Sequence, residues 1–232
     1  GGLVLTILTV VCAVIWAFPL YWAIVTTFKP EHEVIRPAIE LWPETFTLEA
    51  YIHIITNTAI ARWYFNSIVT SVAITAIAVA MCAMCGYAIS QLRFPGRKVL
   101  WFLILASFMV PIQALIVNHF LIIHGVGLLN TLAGIVLPQL IVPVVVIVYK
   151  QFFDSVPREF REAALVDGAT HFQLLFRIYL PMNWGVTTAL AIITFIGAWN
   201  AFLWPFLATT TEDVMTVAVG ITTVQDAFGI YY

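Results

Sequence analysis

Four long stretches of the 232-residue chain contain no aspartate, glutamate, lysine or arginine, and they constrain the fold more than any other feature. They cover residues 1–28, 63–92, 99–149 and 178–211. An α-helix needs about 20 apolar residues to cross the hydrocarbon core of a bilayer, so the third stretch is long enough for two crossings and each of the others for one. The pattern predicts an all-α, polytopic membrane helix bundle with five spans.

The overall composition agrees with a membrane protein. Hydrophobic residues make up 62% of the chain and charged residues 9%, and the mean hydropathy is +1.00. A soluble domain carries about 25% charged residues. We expect a single transmembrane domain over residues 1–232. Its predicted spans cover residues 3–27, 65–89, 99–122, 131–149 and 184–207.

A polar interval at residues 155–181 separates the last two predicted spans and is predicted to be a helical hairpin. Ser155 is a candidate N-cap, and Gly168 suits the left-handed backbone position that ends a helix. Thr170 opens a hydroxyl-x-x-Gln capping box, so a second helix starts almost at once and is expected to end at Pro181. The residues alone leave two interpretations open: a surface connection between two spans, or a docking element for another protein.

The hairpin also contains a recognisable string of residues. Glu162-Ala163-Ala164, three further residues, Gly168, nine further residues and Ile-x-Leu-Pro at 178–181 follow one another along the chain. This string resembles the cytoplasmic signature of permease subunits of bacterial ABC importers, and every fixed position of that signature is present.

Other stretches extend the resemblance along the chain. The basic turn at residues 91–98 is similar to the corresponding turn of carbohydrate-importer permeases, and residues 26–30 and 198–200 look like parts of the same family. The chain resembles the second permease of maltose-type carbohydrate importers, which include importers of oligosaccharides and of glycerol phosphate compounds.

The resemblance implies a role for the hairpin. It would be a coupling helix, seated in a groove of an ATP-hydrolysing subunit. Phe160, Ala163, Ala164 and Asp167 are predicted to share one face of the first helix, where the paired alanines let another surface come close to the backbone. In the coupling role, Ala163 and Gly168 would provide the close approach and the sharp turn. The polar contacts would come from Arg158, Arg161, Glu162 and Asp167.

The resemblance also implies partners and a mechanism. The partners would be a homologous second permease, two ATP-binding subunits that hold ATP and magnesium, and an extracytoplasmic solute-binding protein or lipoprotein. The assembly would sit in the plasma membrane bilayer of a prokaryotic cell. Import would proceed by alternating access, with the fourth and fifth spans following the movement of the hairpin.

Charged residues give the orientation by a separate route. Seven of the ten cations fall in loops on the hairpin side of the predicted topology. An excess of lysine and arginine marks the cytoplasmic side of a membrane, so the hairpin is predicted to be cytoplasmic, with the first residues inside and those up to Tyr232 outside. Permeases of the family usually have six spans with both ends inside, so we expect this chain to stop before a final span.

The chemistry of the chain points away from an enzyme. The sequence contains no Gly-x-x-x-x-Gly-Lys-Ser/Thr string, so ATP is expected to be hydrolysed by a partner and no cofactor is expected here. The five histidines are scattered and no His-Glu-x-x-His occurs, so no metal site is predicted. A net charge of −2 argues against nucleic acid as a partner.

Uncharged polar residues inside the predicted spans are candidates for a substrate pathway. Gln113 and Asn118 lie in the third span, and Trp199 and Asn200 in the fifth. Amides exchange hydrogen bonds with sugar hydroxyls, and an aromatic ring packs on the face of a sugar. For each residue the alternative is a helix–helix hydrogen bond or an interfacial anchor.

Two other functions remain open from the sequence: an ion-coupled secondary carrier and a membrane scaffold that transports nothing. The absence of charged residues from the spans argues against the first, because intramembrane carboxylates usually carry proton and ion pathways.

Overall fold

The computed structural model describes residues 2–36 and 40–227, and within these ranges every regular element is helical. The α-helices are α1 Gly2–Thr26, α2 Glu31–Val34, α3 Glu49–Asn57, α4 Ile60–Gln91, α5 Arg97–Phe108, α6 Ile116–Gly125, α7 Leu132–Val136, α8 Pro143–Asp154, α9 Arg158–Val166, α10 His171–Leu174, α11 Leu180–Met182, α12 Trp184–Trp199, α13 Leu203–Ala208 and α14 Val217–Ala227. Two 3-10 turns, Ile112–Leu115 and Leu137–Gln139, and one π-helical turn, Leu175–Tyr179, connect some of them.

The lengths and hydropathy of these helices fit the predicted membrane fold. Only α1 and α4 are long and apolar enough, among the described helices, to cross a bilayer unbroken. Three further pairs qualify together but are bent: Arg97–Phe108 with Ile112–Gly125 by 100°, Leu132–Gln139 with Pro143–Asp154 by 48°, and His171–Met182 with Trp184–Trp199 by 87°. Counting each bent pair as one span gives up to five.

The predicted third, fourth and fifth spans are therefore not continuous helices. Pro111 follows the end of α5, and Pro138 and Pro143 flank the second break. Proline removes a backbone donor and clashes with the preceding helical turn, so a helix bends or stops there. Within the predicted span 184–207 the chain leaves helical geometry between α12 and α13. The expectation that the chain stops before a final span stays a prediction, and residues 228–232 lie outside the described part.

The chain divides into two compact units, with boundaries near Arg62 and Gly220. In the unit that contains the first 61 residues, α1 exposes nearly all of its apolar side chains. After it, Lys29 is buried, and its ammonium donates to the backbone oxygen of Glu40 at 2.6 Å and lies 5.0 Å from the ring centre of Trp22. The buried Lys29 ammonium thus contributes to holding the loop after the first span in place.

The unit of residues 62–220 has a core where α4, α8 and the segment after α9 meet. Rings of Tyr87 and Phe153 pack edge-on against Tyr179, with ring centres 5.1 and 5.5 Å apart. Gly86 lets α4 approach α8, because a β-carbon there would lie 2.7 Å from Cβ of Tyr149. This aromatic core, defined here as Tyr87, Tyr149, Phe153 and Tyr179, lies directly beneath the hairpin.

The cysteines of α4 belong to the same core. Cys82 is buried and its sulfur lies 3.6 Å from the backbone oxygen of Val142, and Cys85 packs at the edge of the cluster. Both are free thiols. Their surroundings are those of small packing residues.

Candidate functional site: an exposed hairpin and a polar cavity

The first helix of the hairpin does not begin as the sequence predicted. Ser155 is the last residue of the turn that closes α8, and its hydroxyl donates to the backbone oxygen of Phe152 at 2.6 Å. Ser155 lies three residues before the first residue of α9, whose N-cap position is Pro157 and has no side-chain cap, so the predicted N-cap is wrong. α9 starts at Arg158, directly after Pro157, whose extended backbone directs the chain into the helix.

The turn at Gly168 has the predicted left-handed conformation, with φ of +78°. The Gly168 amide donates to the Leu165 oxygen at 3.1 Å, and the Ala169 amide donates to the Ala164 oxygen at 2.9 Å. This pair of bonds is a Schellman motif, which satisfies the last carbonyls of α9 and reverses the chain within two residues.

The second helix of the hairpin begins with the predicted capping box. The Gln173 amide donates to the Thr170 hydroxyl at 3.3 Å, and the Thr170 amide donates to Oε1 of Gln173 at 2.8 Å. The helix passes Pro181 and ends at Met182, one residue beyond the predicted end. The π-helical turn before Pro181 widens the helix, so the proline ring and its missing N–H are accommodated.

The two alanines of the signature lie on different faces of α9, not on one shared face as the sequence predicted. Ala164 is half-buried and packs against the buried cluster that contains the aromatic core, as does Ala169 after the turn. Ala163 and Glu162 are exposed, and Val166 is 88% exposed. One face of the hairpin thus packs against the rest of the 62–220 unit, and the other face is exposed.

Arg161 and Glu162 line a cavity of about 540 Å³ next to the basic turn. Arg93 and His171 also line it, and Nδ1 of His171 lies 3.1 Å from the Tyr87 hydroxyl. The Nε atom of Arg161 is buried and makes no hydrogen bond within the described part of the chain. The cavity therefore offers a cation with unused donors beside the hairpin.

The remaining predicted coupling residues, Arg158 and Asp167, are exposed at the two ends of α9. The hairpin also presents large apolar side chains: Phe160 is 50% exposed and Phe172 65%. The Phe172 ring lies 4.6 Å from that of Phe176. Exposed apolar groups beside charged residues are typical of a protein interaction site.

Within residues 62–220, segments that the predicted topology places on the same side of the membrane are in contact. On the hairpin side the Ser90 hydroxyl donates to Asp154 at 2.6 Å. On the other side Oδ1 of Asn130 accepts from the amides of Thr210 and Thr211 at 3.0 and 3.1 Å. The two ends of this unit are thus each closed by polar contacts between distant segments.

A second cavity, of about 280 Å³, lies where the helix breaks of this unit meet. The first break contributes Gln113 and His119, the second Gln139, and the third, between α12 and α13, Trp204. Of the four predicted pathway residues the cavity contains only Gln113 among its lining residues.

The other three predicted pathway residues have different surroundings. Asn118 is exposed. Trp199 packs between Tyr64 and Phe195, with ring centres 6.2 and 6.0 Å away. Asn200 ends α12, and its amide nitrogen donates to the Ile196 oxygen at 2.8 Å.

Sequence reasoning did not select His119, Gln139 or Trp204. For Gln139 and Trp204 a usable signal was the adjoining proline, Pro138 or Pro205, since polar groups near helix breaks line cavities in membrane proteins. No group of three or more His, Cys, Asp or Glu side chains that could hold a metal ion is found among the described residues.

The chain was compared with known proteins. The family model described as "Binding-protein-dependent transport system inner membrane component" matches residues 79–230. An arabinooligosaccharides transport system permease protein of Halalkalibacterium halodurans is 32% identical over 95% of this chain and 80% of its own. A diacetylchitobiose uptake system permease protein of Streptomyces coelicolor is 31% identical, over 92% and 71% of the two chains.

A third relative, an sn-glycerol-3-phosphate transport system permease protein of Brucella abortus, is 30% identical over 92% of this chain and 78% of its own. The fold is also that of a chain in the crystal structure of a bacterial ABC transporter involved in the import of the acidic polysaccharide alginate. The TM-score is 0.87 at 22% identity, with 99% of this chain and 81% of that chain covered. The chain therefore belongs to the family of inner membrane components of binding-protein-dependent transport systems.

Proposed function

We propose that the chain is a permease subunit of an ATP-driven importer for a carbohydrate or related polyol. It forms half of the translocation pathway, and a homologous permease forms the other half. Its relatives are permease proteins of transport systems for arabinooligosaccharides, diacetylchitobiose and sn-glycerol-3-phosphate, which supports this substrate class.

The observation that carries the proposal is the construction of the hairpin. Its backbone is fixed by the Gly168 turn and the Thr170 capping box, one face is anchored through Ala164, and the other presents Glu162 and Ala163. An element that is rigid, anchored and exposed can transmit a force between two proteins, because it moves with its partner as one body.

In this proposal the hairpin is the coupling element for two ATP-binding subunits, which hold ATP and magnesium and perform the hydrolysis. Ala163 and Gly168 allow the close approach, and Ala164 anchors the helix. The polar contacts to the ATP-binding subunit come from Arg158, Arg161, Glu162 and Asp167.

The orientation follows from the proposed role. The hairpin is cytoplasmic, where ATP is present, and the opposite end of the bundle faces an extracytoplasmic solute-binding protein or lipoprotein. Support comes from the distribution of cations, seven of ten on the hairpin side, and from the clustering of loops at the two ends of the 62–220 unit.

The aromatic core gives a route from the hairpin to the spans. Tyr87 belongs to α4, Phe153 to α8 and Tyr179 to the segment that leads into α12, and their rings are in contact. When ATP draws the two ATP-binding subunits together, the hairpin and these helices move together and open the pathway outward. ATP hydrolysis then returns the pathway to its inward-open state. Gln113, Asn118, Trp199 and Asn200 are proposed to contact the substrate along this pathway.

The test is purification of the full-length protein from its native membrane, with mass spectrometry of the bound proteins and measurement of ATP-dependent uptake. The wild type should retain an ATP-binding subunit and a second permease. Gly168→Val should lose coupling, since β-branched residues avoid positive φ, and Glu162→Lys should weaken ATPase binding.

Gly185→Val is the matched control, because a β-carbon at Gly185 meets nothing within 4 Å and its φ is not in the left-handed region. It should behave as the wild type does. Uptake that persists without ATP and follows a membrane gradient would contradict the proposal in favour of an ion-coupled carrier. Recovery of neither uptake nor an ATP-binding subunit would favour a scaffold.

A further inference from the structure

The 280 Å³ cavity is built from three separate helix interruptions rather than from the side of a helix. The chain bends by 100° after α5 and by 48° between the 3-10 turn Leu137–Gln139 and α8, and it leaves helical geometry again between α12 and α13. Interrupted membrane helices expose backbone polar groups, which are tolerated where they line a cavity, and transporters place their substrates there. The convergence therefore brings the polar side chains of Gln113, His119 and Gln139 together in one largely apolar cavity.

The carbonyls exposed at these breaks are partly satisfied from within the chain. The amide nitrogen of Gln139 donates to the Ile135 oxygen at 2.9 Å, and Nε1 of Trp204 donates to the Gly134 oxygen at 3.1 Å. These bonds fix both side chains before any ligand arrives. Preorganised groups lose little freedom on binding, so they suit a recognition site.

Two side chains at the cavity keep hydrogen-bonding capacity. The amide of Gln113 is exposed to the cavity and makes no hydrogen bond within the described part of the chain. The His119 ring packs edge-on against Trp204 with ring centres 5.9 Å apart, which leaves its two nitrogens for a ligand. An amide and an imidazole each offer a donor and an acceptor, as a pair of sugar hydroxyls requires.

The described lining of the cavity contains no permanently charged side chain. It has no Lys, Arg, Asp or Glu, and the stretches that supply the lining, residues 99–149 and 178–211, contain none at all. An anionic ligand buried here would have no lysine or arginine to compensate its desolvation. The lining therefore favours uncharged ligands over phosphates and uronates.

The size limits what the cavity holds. At about 280 Å³ it is at the lower end of the volumes of small-molecule sites, roughly 300–1,000 Å³. It accommodates one sugar unit rather than a whole oligosaccharide. A longer substrate would extend beyond it.

We propose that this cavity is a subsite for one uncharged sugar unit, in which Gln113 and His119 bind hydroxyl groups and Trp204 forms a fixed apolar wall. The proposal rests on the proposed importer function and narrows its substrate class to neutral saccharides and polyols. Among the ligands of its relatives' transport systems it selects the arabinooligosaccharide and diacetylchitobiose type over sn-glycerol-3-phosphate.

The test uses the complete importer, with its own ATP-binding subunits, partner permease and binding protein, in proteoliposomes. Uptake is measured for arabinooligosaccharides, diacetylchitobiose, a panel of neutral mono- and disaccharides, sn-glycerol-3-phosphate and alginate oligosaccharides. We expect uptake of a neutral probe and little uptake of the acidic ones. Gln113→Ala and His119→Ala should each raise the half-saturating concentration of that probe by roughly 5- to 10-fold, the effect of one lost hydrogen bond.

His119→Gln, which keeps a donor and an acceptor, should recover part of the loss. Val117→Ala is the matched control, because Val117 is 65% exposed on α6 and does not line the cavity. The unfolding temperatures of all variants identify any variant that fails through instability. In a separate measurement, the imported sugar should protect the thiol of the Gln113→Cys variant from labelling by a thiol reagent.

The outcomes separate the two proposals. Preferential uptake of an acidic probe, or wild-type kinetics in both alanine variants, would overturn the subsite while leaving the importer function intact. Failure of the wild-type assembly to import any probe in an ATP-dependent manner would contradict the importer function itself.

Discussion

Gly220 lies directly against the indole ring of Trp63. A β-carbon at residue 220 would be 2.6 Å from Cε2 of the ring and closer still to Cδ2 and Cε3. Trp63 is 1% exposed, and its Nε1 donates to the Glu212 oxygen at 3.1 Å, so the ring is held in place. The start of α4 and the start of α14 are therefore in contact only because residue 220 has no side chain.

This contact makes Gly220→Ala destabilising although alanine favours a helix by about 1 kcal/mol over glycine. The buried ring has no room to move, and overpacking of this kind costs about 1–3 kcal/mol. The unfolding temperature of the purified assembly should fall. Gly125→Ala, where a β-carbon meets nothing within 4 Å, should leave it unchanged or raise it. A stabilised Gly220→Ala variant would show that the ring can shift.

Asn130 has a left-handed backbone conformation, and its side-chain oxygen accepts several hydrogen bonds. Its φ is +58°, and its Oδ1 accepts from the Thr210 amide and from the amide and hydroxyl of Thr211. Asn130→Gly loses the side-chain hydrogen bonds but adopts the left-handed conformation easily. Asn130→Ala loses the same hydrogen bonds and is also strained in the left-handed conformation. We expect a loss of about 1–2 kcal/mol for glycine and about 1 kcal/mol more for alanine, measured by thermal unfolding.

Asn118→Ala is the control for this pair, because Asn118 is exposed and makes no side-chain hydrogen bond within the described residues. It should not change the unfolding temperature. Equal losses for glycine and alanine at residue 130 would show that the backbone conformation there carries no strain.

The two neighbouring alanines of α9 should respond differently to the same enlargement. Ala163 is exposed, so Ala163→Leu should leave stability within about 0.5 kcal/mol and should reduce substrate-stimulated ATPase activity, because the larger side chain separates the docked surfaces. Ala164 packs against the core, so Ala164→Leu should lower the unfolding temperature by overpacking. Unchanged ATPase coupling in Ala163→Leu would contradict the proposed docking face.

The buried carboxylate of Glu33 predicts a pH dependence in the loop after α1. Burial opposes its ionisation, but hydrogen bonds donated by the Glu44 and Thr45 amides outweigh burial and lower the pKa of Glu33 below its ordinary value of 4.5. The contribution of these bonds to stability is therefore complete above pH 4.5 and is lost as the pH falls through the lowered pKa.

Hydrogen exchange at the Glu44 and Thr45 amides measures this effect. Protection should hold above the ordinary glutamate pKa and decline below it in the wild type, while Glu33→Gln should show weaker protection that does not depend on the Glu33 carboxylate. Glu31→Gln, at an exposed neighbouring position, is the control and should match the wild type. Identical profiles for Glu33→Gln and the wild type would refute the assignment.

Local chemistry explains the predictions that succeeded. Gly168 and Thr170 act through their own backbone conformation and through atoms three to five residues away, so their roles are visible in the sequence. Ser155 was misread because it belongs to the end of α8, where its hydroxyl donates to the Phe152 oxygen, while α9 begins only after Pro157. The helix after Thr170 continues one residue past Pro181 because the π-helical turn before it accommodates the proline ring.

By itself the sequence determined that this chain is a helical membrane protein, how many spans its charge-free stretches allow and where the hairpin turns. These properties depend on hydropathy and on short-range hydrogen bonding. Only the tertiary structure decided that Ala163 faces outward while Ala164 faces the core, and that Gln113, His119 and Trp204 share one cavity. Such relationships depend on where separate helices break and meet, and here the breaks bring Gln113 and Trp204, 91 positions apart in the sequence, to one cavity.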